Sequence, residues 1–95
     1  FEVLKTKDIL YCKADDNYTQ IFLNNNKKKL VSKTLKYVED ILSESGVARV
    51  HKSYLINVSE VVKYVKGKGG SVILSNGKEI MVSASKKSGL LSYFN

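Results

Sequence analysis

The chain has 95 residues, enough for one small domain with a modest core, and 43% of them are hydrophobic, which excludes a disordered tail. Sixteen basic residues against nine acidic ones give a formal net charge of +7, an excess that points to a polyanion such as nucleic acid or an anionic membrane surface. The excess is uneven. Residues 1–48 hold eight lysines against seven acids, a net of +1, whereas residues 49–95 hold seven lysines and Arg49 against Glu60 and Glu79, a net of +6.

Taken in chain order, DILYCKA (8–14) reads as a strand leading into the polar Asp15-Asp16-Asn17 turn. YTQIFL (18–23) is a second strand, Asn24-Asn25-Asn26 a turn, and KKKLVS (27–32) a third strand. The period changes at Thr34. Leu35, Val38, Ile41 and Leu42 share one helical face, which predicts a helix over 34–44, capped by Ser32 or Thr34 and ended by Gly46. VARV is a short strand, Val61 to Val65 alternate as another, and Gly67-Lys68-Gly69-Gly70 reads as a flexible loop. SVILS and KEIMV flank Asn76-Gly77, a hairpin signal that predicts a type I′ turn with positive φ at both residues. SASKKSGLLSYFN has the makings of a short C-terminal helix, weakened by Gly89. The fold class is mainly β with one good helix and antiparallel strands.

Cys12 is alone, so no internal disulfide forms and a cytoplasmic setting is expected. No apolar run approaches the roughly 18 residues of a membrane span, and no signal-peptide pattern is present. The chain begins at Phe1, not at a methionine, and we expect a single domain over residues 1–95 excised from a longer protein. Catalysis is not expected. His51 is the one histidine, and Cys12 has no sequence neighbour that would activate it. GKGG at 67–70 lacks the spacing of a phosphate loop. One His and one Cys cannot build a zinc site, and Asp15-Asp16 lacks the pattern of a calcium loop, so neither metal nor cofactor is expected.

The informative stretch is RVHKSYLIN, residues 49–57. Arg49, His51, Lys52 and Ser53 are all hydrogen-bond donors; lysine and arginine bring charge to phosphate and can reach guanine edges. A serine opening a helical turn would add its hydroxyl and backbone N–H groups to a phosphate. His51 either packs under the sheet to fix the loop or faces the ligand, and both can hold at once. Tyr54, Leu55 and Ile56 read as core, and Asn57 as a residue that caps or turns the chain.

From about Asp8 to Leu91 the chain resembles the LytTR domain, the DNA-binding output domain of LytR/AlgR-type bacterial response regulators. The landmarks are DILYCKADDNYTQIFL, the Leu35 helix, RVHKSYLIN and NGKEIMVS, in that order. The resemblance implies an antiparallel β fold that inserts loops into successive major grooves of double-stranded DNA. It also implies a receiver domain in the full-length chain, paired DNA repeats and a homodimer on DNA. By position, the base-reading elements would be the first loop with Asn17 and Tyr18, the segment His51-Lys52-Ser53, and the stretch Ser83 to Lys87 with Ser83, Ser85, Lys86 and Lys87. Lys33 would hold phosphate. Two departures stand out. Lys52 replaces the family's common arginine, keeping the charge without the fork that reads guanine bidentately. Ala84-Ser85 stands where an arginine is common, with lysines one step later.

The first expectation is therefore a sequence-specific DNA-binding domain of a transcriptional regulator. The alternative is a protein-interaction module that keeps the fold with only non-specific DNA affinity. A membrane surface fits poorly, because the helix carrying Lys36 also carries Glu39, Asp40 and Glu44.

Overall fold

The computed structural model describes residues 5–94. The first three strands, β1 (Ile9–Asp15), β2 (Tyr18–Leu23) and β3 (Lys28–Val31), form the expected meander. The helix α1 (Leu35–Ile41) follows, then β4 (Val47–His51), β5 (Tyr54–Asn57), β6 (Val61–Val65), β7 (Ser71–Leu74), β8 (Glu79–Met81) and the short helix α2 (Lys87–Leu91). They build two antiparallel sheets. The larger has the order β3-β2-β1-β5-β4, and the smaller has the order β6-β7-β8.

Both faces of the larger sheet are covered, which is why β1 and β5 carry apolar runs rather than a clean alternation. On one face Leu10, Tyr11, Val50 and Ile56 pack against Val72, Leu74 and Ile80 of the smaller sheet, joined by Leu90 of α2. On the other, Ile9, Cys12, Ile21, Leu23, Val47 and Leu55 pack against Leu35 and Val38 of α1. β5 supplies both cores with consecutive, fully buried residues, Leu55 and Ile56. A bulge opposite Phe22 lets Leu10 and Tyr11 face the same core.

The helix is shorter than its periodicity predicts. Thr34 caps it by accepting the N–H of Tyr37 at 3.2 Å, but the regular bonds end with Leu42 N–H on Val38. The Ser43-Glu44-Ser45 stretch then tightens into turns, for serine competes with the helix for its own backbone. Ile41, placed by the pattern on the inner face, is 64% exposed.

The two outer hairpin turns are alike. Asn26 N–H donates to Leu23 and Gly77 N–H to Leu74, at 3.2 and 2.8 Å. Only Asn26 and Gly77 of these turns take positive φ, 69° and 89°. The type I′ expectation for Asn76-Gly77 is thus corrected: Asn76 keeps negative φ and uses its side-chain oxygen to accept Lys78 N–H, as Asn25 does for Lys27. The Gly67–Gly70 stretch is not free either. Tyr64 donates its hydroxyl to the Gly69 carbonyl at 2.9 Å, and Gly70 accepts the N–H of Val82 at 2.9 Å.

Edges are treated differently. β4 is partly closed by Ser83, whose N–H donates to Val50 at 2.8 Å. β3 pairs on its outer side with no other described strand and carries Lys28, Lys29 and an exposed Leu30.

Candidate nucleic-acid interface

Antiparallel pairing of β1 with β5 aligns the β1–β2 turn with the β4–β5 turn at one end of the larger sheet. Ala14 N–H donates to the Ser53 carbonyl at 2.9 Å, tying the two together. Lys33 joins this end because Thr19, fully buried at the start of β2, donates its hydroxyl to the Lys33 carbonyl at 2.9 Å. The Ser83 bond to Val50 brings the segment after β8 to the same end. The four elements predicted from sequence therefore lie in a row. With strands ~4.8 Å apart, the two hairpin tips stand about 10 Å from each other, and Ser83 to Lys86 lie beyond β4.

The β4–β5 tip is the most constrained part. Lys52 and Ser53 close it as a tight turn between His51 and Tyr54, with neither residue at positive φ. The local register shift between Arg49 and His51 accommodates this, and Val50 there is fully buried. Arg49 braces the turn from behind. Its guanidinium donates to Glu39 of α1 at 2.7 Å, to the His51 carbonyl at 2.8 Å and to the Lys52 carbonyl at 2.5 Å. Its side chain is only 18% exposed. Arg49 thus faces the protein, not the solvent.

Of the two roles the sequence left open for His51, the ring takes the one that fixes the loop. Its Nδ1 accepts the Ser53 N–H at 3.1 Å, and its ring meets Tyr54 edge-on with centroids 6.0 Å apart. Nε2 therefore carries the hydrogen in this tautomer and is left as a donor. Behind Tyr54 the rings continue through Tyr11, which stacks on Phe22 at 4.4 Å, so His51 is anchored in a row of aromatics. Ser53 opens no helical turn; it sits in a hairpin, and the helix-start phosphate site expected of it is corrected. Its N–H is bound to His51 and its carbonyl to Ala14. Of the tip residues, Lys52 is the exposed one, with His51, Ser53 and Tyr54 half-buried around it.

Beside the tip lies a cleft of about 510 Å³ lined by Lys36, Glu39, Arg49, His51, Lys52, Ser83, Ser85 and Lys86. It brings the second and third predicted elements together. Glu39 is its acidic wall, and Arg49 neutralises it. Lys36 is held by Asp40 at 3.0 Å, and that hydrogen bond pushes its pKa up, keeping the ammonium charged. Ser83 and Ser85 hydroxyls stand 3.4 Å apart. Lys87 begins α2 and is not in the lining. The helical period that turns Leu35 and Val38 inward sets Lys36 on another side of α1, but it carries no signal that this side opens onto Lys52. That depends on how α1 docks on the sheet.

At the first tip, Asp16 takes a left-handed conformation with φ 57° and Asn17 and Tyr18 are exposed. The Asp15 carboxylate turns sideways and accepts from Gln20 at 2.9 Å, which moves its charge off the tip. The Lys33 ammonium rests 4.8 Å above the Tyr37 ring.

Cys12 is fully buried, and burial pushes its thiol up to about 12, far from an active thiolate. Among the described residues no cluster of His, Cys, Asp or Glu could hold a metal ion, and no helix is long and apolar enough to cross a membrane.

Comparison with known proteins adds three findings. A family model described as the LytTr DNA-binding domain matches residues 1–95. The sensory transduction protein LytT of Bacillus subtilis (strain 168) is 31% identical over 84 residues, covering 85% of this chain and 34% of LytT. The chain thus spans about a third of that relative's length. Among solved structures, the LytTr DNA-binding domain of a Bacillus cereus protein described as a methyl-accepting/DNA response regulator superposes with a TM-score of 0.85. That match covers 97% of this chain and 85% of the other at 19% identity, a likeness of fold.

Proposed function

This chain belongs to the LytTr DNA-binding domain family, and from that premise we propose that it reads a specific double-stranded DNA sequence as the output domain of a two-component transcriptional regulator. The family is a DNA-binding one, not an enzyme family, and we assign the chain no catalytic step and no cofactor. The observation that carries the reading is the gathering of all the predicted contact elements at one end of the molecule. Asn17 and Tyr18 form one flank of the row, Lys52 the middle, and Ser83, Ser85 and Lys86 the other flank. In this reading the loops of that end enter successive major grooves, with Lys33 and Lys87 on phosphates and Arg49 holding the middle tip in shape. His51 offers Nε2–H to a base or phosphate. A receiver domain elsewhere in a longer chain, and pairing of two copies on repeated sites, complete the proposal.

Selection from a randomised duplex library tests it. Enrichment of one motif is the expected result. Lys52→Ala should then weaken binding to that motif more than to duplex of arbitrary sequence, because base contacts specify and phosphate contacts do not. Equal losses would reduce Lys52 to a phosphate contact. If about five or six phosphates are neutralised, log Kd against log salt should have a slope magnitude near 5. No enrichment, with bulk binding that fades as salt rises, would favour the protein-interaction module instead.

A further inference from the structure

We propose that the Gly67–Gly70 loop between β6 and β7 is a further DNA-contacting element, presenting Lys66 and Lys68 to the phosphate backbone beside the Ser83–Lys86 segment. The inference rests on the reading above and extends the interface to the smaller sheet, for which the family resemblance offered no contact residue.

Placement is the first ground. β7 leaves the loop at Ser71, which pairs with Met81 near the end of β8, so the loop stands at the same end as Val82 and Ser83. Contact is close. A Cβ on Gly69 would be driven into the Val82 carbonyl oxygen and would stand 3.0 Å from the Ala84 nitrogen. Lys68 is therefore the chain neighbour of a residue that lies on Ala84.

Rigidity is the second ground. Gly70 has φ +84°, and a Cβ there would collide with the Tyr64 phenol and the Val65 carbonyl. With the Tyr64 bond to Gly69 and the Val82 bond to Gly70, the loop is clamped from both sides. A clamp of this kind lowers the entropy lost when its side chains are ordered on binding.

Charge is the third. Lys66 and Lys68 are exposed, and among the described residues neither has a carboxylate partner. Lys68 adjoins Gly69, which lies against Ala84, where Ala84-Ser85 stands in lieu of the family's arginine, and Lys66 is two residues further back in the chain. The loop thus restores positive charge to the flank of the row where that side chain is missing. The contact would be electrostatic and indifferent to sequence.

The test compares two double variants of the 95-residue chain, with unchanged thermal midpoints confirming that both fold. Lys66→Gln/Lys68→Gln removes the loop's charges. Lys27→Gln/Lys78→Gln removes the same charge from the two turns at the opposite end of the sheets. Binding to the selected duplex and to duplex of arbitrary sequence is measured across salt concentrations. The loop variant should lower the log–log slope magnitude by about 2, at ~0.9 per phosphate, and weaken both duplexes by the same factor. The opposite-end variant should leave the slope near wild type. An unchanged slope in the loop variant, or equal changes in both variants, overturns the proposal while leaving DNA binding intact. Absence of salt-dependent binding in the wild type would overturn both the proposal and the functional reading beneath it.

Discussion

Arg49 directs its guanidinium into the protein, and its removal has two separable consequences. Arg49→Ala leaves the partly exposed Glu39 unpaired and frees the carbonyls of His51 and Lys52. A cost of about 1.5–3 kcal/mol follows from the loss of hydrogen bonds with a charged donor, readable as a lower urea midpoint. DNA affinity should fall as well, because the Lys52 tip loses its brace, yet the salt slope should stay as in wild type. A smaller slope would put Arg49 on a phosphate. Arg49→Lys should not restore the tip, since an ammonium cannot span three acceptors in one plane. The RVHKSYLIN stretch was legible as the centre of the proposed interface from its donors together with the family resemblance. The inward turn of Arg49 was not, because its partner Glu39 sits ten residues earlier on another element.

Among the elements, the paired turns offer an internal control. Asn26 and Gly77 occupy matching left-handed positions, and a Cβ at Gly77 would meet nothing within 4 Å. The cost of a side chain there is therefore backbone strain alone. Gly77→Ala should cost about 1–2 kcal/mol, while Gly77→Asn should keep much of that stability, as Asn26 does in its own turn. Equal losses for Ala and Asn, in denaturant unfolding, would defeat the left-handed account. Most strands could be read from β-forming residues between turn signals, and the asparagine and glycine turns from composition. β5 could not, for Tyr54–Asn57 is short and buried on both faces, so it has no period to detect. Nor could the clamped glycine loop, whose composition alone suggests mobility and whose constraint comes from Tyr64 and Val82.

At the scale of the whole molecule, the pairing of β1 with β5 sets everything else, and local pattern has no access to it. It encloses Cys12 between the larger sheet and α1, so its thiol can ionise only when the fold opens. Burial raises its pKa from 9.0 to about 12. The folded state thus favours the neutral thiol. That contribution is fully present below pH 9.0 and is lost as pH rises toward 12, at about 1.4 kcal/mol per unit. Urea titrations between these limits should show wild type losing stability more steeply than Cys12→Ala; parallel curves would mean the thiol reaches water in the native state. The same topology leaves β3 at the edge of the larger sheet, paired on its outer side with no other described strand and guarded by Lys28 with Lys27 beside it. Unpaired N–H and C=O groups on such an edge are a template for a second copy, and like charge is what keeps two copies apart. That repulsion reaches only about 10 Å in 0.1 M salt and about 3 Å in 1 M. Brine strong enough to strip this domain from DNA therefore also removes its guard against strand-to-strand aggregation, and the two behaviours share one ionic window.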